Sequence, residues 1–361
     1  MSPDDTRWRP VGIPPRAMIG PMPETRMPCG PSRRSVLAVL GLGAAGMALS
    51  GCGIRLEDDA PRVPLVPTRE PVPGEAFLIG LWLGSQDLAA QASALGGPGT
   101  GLPARLALLH RAQAGVLRTL LRSEGVPDSV VDDARKRHTS TPSTTSSPTT
   151  GASATPGTAP NGSTTGASTS PSRSTLAAAE AAALSPESFA ALGALDAKAV
   201  VTPAAALAQR AAAATLLGKL PAWSTQEDVP ADLAAAALEA TRAAVYGFEV
   251  VAAQSAGAQR AQATATLATL RARVARLEQP AGDKAPPASL GYPLPFPVTT
   301  PGAAKRLALH VLEGLRASHA AATGRAARDA TGLAATVQWL AEAEGLCHRW
   351  GMALQPFPGL E

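Results

Sequence analysis

The chain has 361 residues, 45% of them hydrophobic but only 3% aromatic, with 34 Gly and 34 Pro. That length allows a sizeable core, and abundant Ala with few aromatics favours closely packed helices over a β-rich interior. The formal charge of +4 is unevenly shared: residues 1–51 carry six Arg against Asp4, Asp5 and Glu24, so +3 lies there and the remainder is nearly neutral. Nucleic-acid binding therefore has no electrostatic basis.

The first element is an address. Ser32-Arg33-Arg34-Ser35 places paired arginines before the apolar run Val36–Ala48, which holds three glycines. As a helix that run would reach roughly 20 Å, short of the ~30 Å hydrocarbon core, so it reads as a signal-peptide apolar region rather than a spanning helix. Arg33 and Arg34 resemble a twin-arginine export signal, although Ala38 stands where Lys is frequent and the general secretory route stays open. Met27 offers a later start that would give a conventionally short leader. Leu49-Ser50-Gly51-Cys52 follows and resembles the bacterial lipobox. Small residues at Ser50 and Gly51, after Leu49, let the peptide enter a signal peptidase, and the Cys52 thiol accepts a diacylglyceryl group. Two acyl chains at about 0.8 kcal/mol per buried CH₂ suffice to hold a protein on a membrane. Residues 1–51 thus read as a lipoprotein-type signal peptide, and 52–74, with five prolines, as a tether.

Of the three cysteines, Cys29 and Cys52 belong to the leader and its end, and only Cys347 falls in a folded element. No internal disulfide framework is possible, and a lone thiol on an apolar stripe reads as a small buried hydrophobe.

Residues 75–137 read as helical. Phe77, Leu78, Leu81, Trp82, Leu88 and Ala92 mark a first helix, ended by Gly96-Gly97-Pro98. Leu106, Leu109, Gln113, Val116, Leu117, Leu120 and Leu121 mark a second, stopped at Gly125-Val126-Pro127. Residues 138–175 form a Ser/Thr/Pro/Gly linker: from Thr139 to Ser172 there is no charge and no large apolar side chain, so ordering has nothing to offset it. The tract suits O-glycosylation, and as a flexible chain it reaches roughly 30–35 Å. Residues 176–222 are helical again, with Ser185-Pro186 as a helix start continuing to about Val200, and Thr202-Pro203 as another.

Residues 231–355 read most clearly. Asp232 is placed as the cap of a helix that turns Leu233, Ala237, Thr241, Ala244, Val245, Phe248, Val251 and Ala252 inward. After Gly257 comes a helix with Ala263, Leu267, Leu270, Val274 and Leu277 inward. An extended crossing from Pro280 to Pro301 leads to a helix presenting Leu307, Val311, Gly314, Leu315 and Ser318. The last helix presents Leu333, Val337, Leu340, Ala343, Cys347, Trp350 and Leu354. Two helical hairpins joined by one long crossover are the connectivity of a ferritin-like bundle, so the fold class is all-α with such a four-helix bundle at its C-terminal end. The first half repeats the order, with Arg111-Ala112-Gln113-Ala114 and Arg260-Ala261-Gln262-Ala263 both on second helices, which raises duplication.

Ala243-Ala244-Val245-Tyr246-Gly247, the crossover Gly291-Tyr292-Pro293-Leu294-Pro295-Phe296-Pro297-Val298 and the following helices resemble the ferritin-like domain of actinobacterial lipoproteins known as domain of unknown function 4439. The resemblance covers about residues 231–354, and the Cys52–Asp59 stretch is similar to mature starts of such lipoproteins. It implies a fold and an envelope location but no reaction. Thr241-Arg242 stands where the family carries a Glu-His pair.

A di-metal centre in such a bundle needs Glu-x-x-His on two helices. The residues three before His110, His138, His310, His319 and His348 are Ala107, Arg135, Leu307, Arg316 and Gly345, so no such motif exists. Glu344 and His348 share a face at i, i+4, but Arg349 beside them suits a solvated helix end. No metal ligand, catalytic residue or cofactor-binding pattern is assigned. Tyr246, Glu239, His310 and Glu313 are the residues on which a pocket could be built, while His310 and His319 flanking Glu313 and Arg316 read as a solvated or partly buried polar seam. The expected role is a lipid-anchored envelope module on the extracytoplasmic face of the cell membrane, engaging an envelope protein or ligand without catalysis. The alternative is a small-ligand or metal-binding protein of degenerate di-iron type.

Overall fold

The computed structural model describes residues 69–96, 101–140, 171–223 and 228–360. The leader, the lipobox with Cys52, the tether up to residue 68 and the Ser/Thr tract over 141–170 lie outside the described residues. Ten α-helices lie among the described residues: α1 Glu75–Gly96, α2 Leu102–Ser123, α3 Asp128–Ser140, α4 Arg173–Ala182, α5 Pro186–Gly193, α6 Val201–Leu217, α7 Ala231–Ala253, α8 Gly257–Ala281, α9 Pro301–Arg325 and α10 Ala330–Arg349. There is no strand among them, and none is long and apolar enough to cross a membrane.

Local chemistry sets the boundaries. Ser172 caps α4 in a reciprocal box with Thr175, so three residues assigned to the linker, 173–175, are helical. At the linker's other side Thr139 and Ser140 end α3 with hydroxyls turned back onto Arg135 and Lys136 carbonyls. Ser185 caps α5 ahead of Pro186, and Thr300 caps α9 ahead of Pro301, each accepting from the N3 amide. Gly218, at φ 101, takes the left-handed turn that ends α6 and lets Lys219 N–H reach the Ala214 carbonyl. Two expectations need correction. The N-cap of α7 is Pro230, and Asp232 is an exposed first-turn residue near Lys284. α5 stops at Gly193 rather than near Val200, because Leu195–Val200 folds into a turn whose amides bond to Asp196.

The C-terminal helices form a square. α7 packs on α8 and α9, and α9 packs on α10. α8 and α10 close the ring through Arg273–Glu342 and Trp350–Thr266. Short turns join α7 to α8 and α9 to α10, so each pair is antiparallel, and the segment 285–300 carries the chain along α7 between the hairpins. Pro280 does not begin that crossover: α8 runs through it to Ala281 and ends in a 3-10 turn. The N-terminal helices repeat the neighbour order, with α1 on α2, α1 on α4, α4 on α6 and α2 on α6. α6 and α10 pack on each other and form the shared wall. Both are buried almost all round, which their Ala-rich surfaces permit because small side chains let four neighbours approach.

The tail after α10 fastens the two halves. Leu354 enters the core of α1, α2, α4 and α6, and Phe357 enters the large central cluster. The Pro356 carbonyl accepts from Gln113 at 2.7 Å.

Candidate functional site

Each four-helix group has a buried polar centre. In the N-terminal group the Pro356 carbonyl fixes the Gln113 amide, whose nitrogen also donates to Gln209 at 2.9 Å. Gln113 Oε1 therefore faces His110 Nδ1 at 2.9 Å, and that ring nitrogen must donate. His110 Nε2 meets Glu180 Oε1 at 2.7 Å, with both side chains fully buried. Arg210 donates to Ser85 and the Leu81 carbonyl, each at 2.8 Å, and burial pushes its guanidinium down to about 10, with Glu180 and Asp87 opposing. Glu180 Oε2, Gln209 Nε2 and Arg210 Nε are buried without protein partners.

In the C-terminal group the centre is built on two arginines. Arg273 of α8 bonds Glu342 of α10 and, at 3.1 Å, His319 Nε2 of α9. Since a guanidinium only donates, Nε2 accepts and the imidazole is neutral. Burial, then Arg273, push His319 well below its ordinary pKa, and its ring lies 6.0 Å from that of Trp339. Glu342 would be pushed up by burial, but Arg273, Gln338 and Arg276 hold it below the usual carboxylate range. Arg316 of α9 pairs with Glu344 of α10 at 3.1 Å, both buried. Burial raises Glu344 despite Arg316 and a 2.7 Å bond from the Gln355 amide. Cys347 beside them is fully buried, and burial pushes its thiol up to about 12. It is a packed hydrophobe, its Sγ directed at the Leu312 carbonyl.

These donors do not fit a di-metal centre. Both carboxylates at this level are engaged by guanidiniums, whose charge repels a cation where one would sit. No group of three His, Cys, Asp or Glu able to hold a metal occurs among the described residues.

One concave surface lies at the crossover. Tyr246 of α7 and Tyr292 of the crossover stand 5.9 Å apart, tilted by 53°, and divide two grooves. One, of about 360 Å³, lies toward α8 and is bounded by Arg242, Val245, Val274, Ser289 and Leu290. The other, of about 240 Å³, lies toward α9 under Pro293-Leu294-Pro295, with His310 at its edge. Gly247 permits this close approach, since a Cβ there would meet Val311 at 2.7 Å. Arg242 donates to the Pro286 carbonyl at 2.6 Å and to Glu278 at 3.2 Å, and Arg271 pairs with Glu249 at 2.7 Å. Burial, then the Glu239 carboxylate, raise the Tyr292 pKa. The Tyr292 hydroxyl and Glu239 Oε2 are both left buried and unpartnered.

Of the four residues singled out in the sequence, Tyr246 divides the grooves, Glu239 backs Tyr292 and exposed His310 edges the second groove. Glu313 is exposed and lines neither groove. The polar seam splits likewise, with Arg316 and His319 buried and His310 and Glu313 outside. Sequence reasoning did not place Tyr292 or Arg242 at a site. The signal for Tyr292 is its setting: prolines on both sides bar a helix, so its ring must dock on a neighbour.

No curated protein and no solved structure matches the chain. Residues 234–361, which take in α7 from its first turn to the clasping tail, match the family model described as Domain of unknown function (DUF4439), and this stretch of the chain is a domain of that family.

Proposed function

We propose that this protein is a lipid-anchored envelope module, held on the extracytoplasmic face of the membrane through Cys52, whose ferritin-like C-terminal domain binds a ligand at its surface and performs no catalysis. One observation carries the binding part: the bundle interior is filled by Arg273–Glu342 and Arg316–Glu344, and open, partly apolar volume lies instead beside Tyr246 and Tyr292. Pockets of this kind, apolar with a few unsatisfied polar atoms, are where small ligands bind. The ferritin-like assignment is supported by four mutually packed helices joined by one long crossover. The anchor rests on Arg33, Arg34 and the Leu49-Ser50-Gly51-Cys52 sequence.

Intact-mass spectrometry of protein from the native membrane tests the anchor. A chain starting at Cys52 with a diacylglyceryl adduct is expected, and an unprocessed thiol in soluble protein overturns it. Elemental analysis of the same sample tests the interior, where stoichiometric iron or manganese would overturn the non-metal reading.

A further inference from the structure

The outer face of α2 combines exposed apolar side chains with charge of one sign. Among the described residues, the large hydrophobic side chains exposed on a helix are Leu108, at 64%, and Val116, at 44%, and both stand on α2. The rest of that face carries Arg105, Arg111 and Arg122 among small and neutral residues, and α2 has no Asp or Glu along its whole length. Arg111 bonds the Ser93 hydroxyl at 2.7 Å, and among the described residues no carboxylate bonds Arg105 or Arg111. Carboxylates approach the face at its C-terminal end, where Asp128 of α3 meets Arg122 at 3.0 Å in an exposed pair that weighs little in water. Toward α1 the face runs into a trough of about 570 Å³ over Ala89, Ala114 and Gly115, whose ionised lining is Arg111 and Arg118. Arg118 lies over the Trp82 ring and is held by Asp128 and Asp132 at 2.7 and 3.2 Å, so Arg111 is the charge left uncompensated there.

We propose that the outer face of α2 is the surface on which this protein rests on a bilayer of anionic phospholipid. Leu108 and Val116, eight positions or about 12 Å apart along the helix, enter the boundary between headgroups and acyl chains. Arg105, Arg111 and Arg122 meet phosphate oxygens, and the trough beside Trp82 receives a headgroup at Arg111. The course of the chain favours this face. Trp82 faces Arg118, Ser93 faces Arg111 and Gly96 abuts Ala104, so α1 and α2 run antiparallel and Glu75 lies at the same end of the hairpin as Ser123. Cys52 precedes Arg69, where the described residues begin, by 17 positions, a span of at most about 60 Å. The inference rests on the Cys52 anchor of the preceding reading, which keeps the lipid surface at high effective concentration, while the α2 face decides which side meets it.

The acylated full chain, purified from its membrane in detergent, is labelled with an environment-sensitive fluorophore at L108C; Cys347 is fully buried and does not compete for the label. L290C, fully exposed in the crossover, is the control. In vesicles of phosphatidylcholine and phosphatidylglycerol in equal parts, the label at 108 should shift to the blue and the label at 290 should report water. In phosphatidylcholine alone, or in the anionic vesicles at high salt, the label at 108 should also report water. R105Q/R111Q should lower the ratio of docked to undocked protein about 25-fold, at about fivefold for each arginine. V116S, at another exposed position, should lower it about fivefold. Flotation with vesicles while the label at 108 stays in water overturns the α2 face and leaves the anchor standing. Docking on anionic vesicles by a chain whose Cys52 proves unmodified supports the face and overturns the anchor. Equal docking on both vesicle types overturns the selection of anionic lipid. A shift that needs no lipid and grows with protein concentration assigns the face to a second copy of this chain and overturns the proposal.

Discussion

The two four-helix groups share a neighbour order but fill their centres differently. In the N-terminal group a His110–Glu180 pair, two glutamines and Arg210 meet, and Glu180 Oε2, Gln209 Nε2 and Arg210 Nε stay without partners. In the C-terminal group two guanidiniums bridge helices, leaving His319 Nδ1 as the unpartnered atom of that centre. A bundle of this topology thus tolerates a polar layer at mid-height provided charges are balanced within it. The chemistry of the layer is otherwise free to diverge.

The largest test of this contrast is E344L, which strips the carboxylate from buried Arg316. A loss of about 3–5 kcal/mol in urea unfolding is expected, and the R316M/E344L double variant should recover most of it. Equal loss in both variants would show that the pair matters for more than mutual neutralisation. Next, L354A removes the tail's apolar contact with the N-terminal core, and about 2–3 kcal/mol should be lost, the low end for a site still 8% exposed. Hydrogen exchange should rise in α1, α2 and α4 before it rises in α7–α9.

Titration sharpens the comparison further. His319 stays neutral in the folded state well below its ordinary pKa, whereas in the unfolded chain it gains a proton near pH 6.5. Its contribution is therefore present above that pH and lost as pH falls below it, by about 1.4 kcal/mol per pH unit. Glu344, raised by burial, works in the opposite sense, so the difference between wild type and H319Q isolates the histidine. That difference should grow from pH 6.5 to 5 in thermal melts. The smallest effect is expected for R271A, which removes an exposed pair with Glu249 and should change stability by less than about 0.5 kcal/mol.

The sequence is most legible where apolar periodicity is uninterrupted. Leu333, Val337, Leu340, Ala343, Cys347, Trp350 and Leu354 are all buried as their spacing requires. Legibility fails where charge is buried. In α9 the stripe is expected on Leu307, Val311, Gly314, Leu315 and Ser318; Leu307 and Leu315 are buried as expected, but the inward face also takes in Ala308, Leu312, Arg316 and His319, and Gly314 is exposed. In α8 Arg273 is buried while Val274 is only partly so, and in α2 His110 is buried while Val116 is 44% exposed. A pattern that counts charged side chains as solvent-facing must rotate such helices outward, because it cannot see that Glu342 and Glu344 arrive from another element to neutralise them. The grooves were half legible for a related reason: Tyr246 sits on a regular helix, whereas its partner Tyr292 comes from a crossover without periodicity.

The docking of Leu354, Pro356 and Phe357 has a kinetic consequence. A ribosome delivers α1 and α2 long before these residues, so the earlier-made group waits with a gap in its interior until the segment after α10 emerges. Its final closure joins segments some 240 positions apart, as the Gln113–Pro356 bond does, which makes this folding step slow. A nascent chain stalled within α10 should accordingly be open to proteolysis in its first helices, while the released protein resists it.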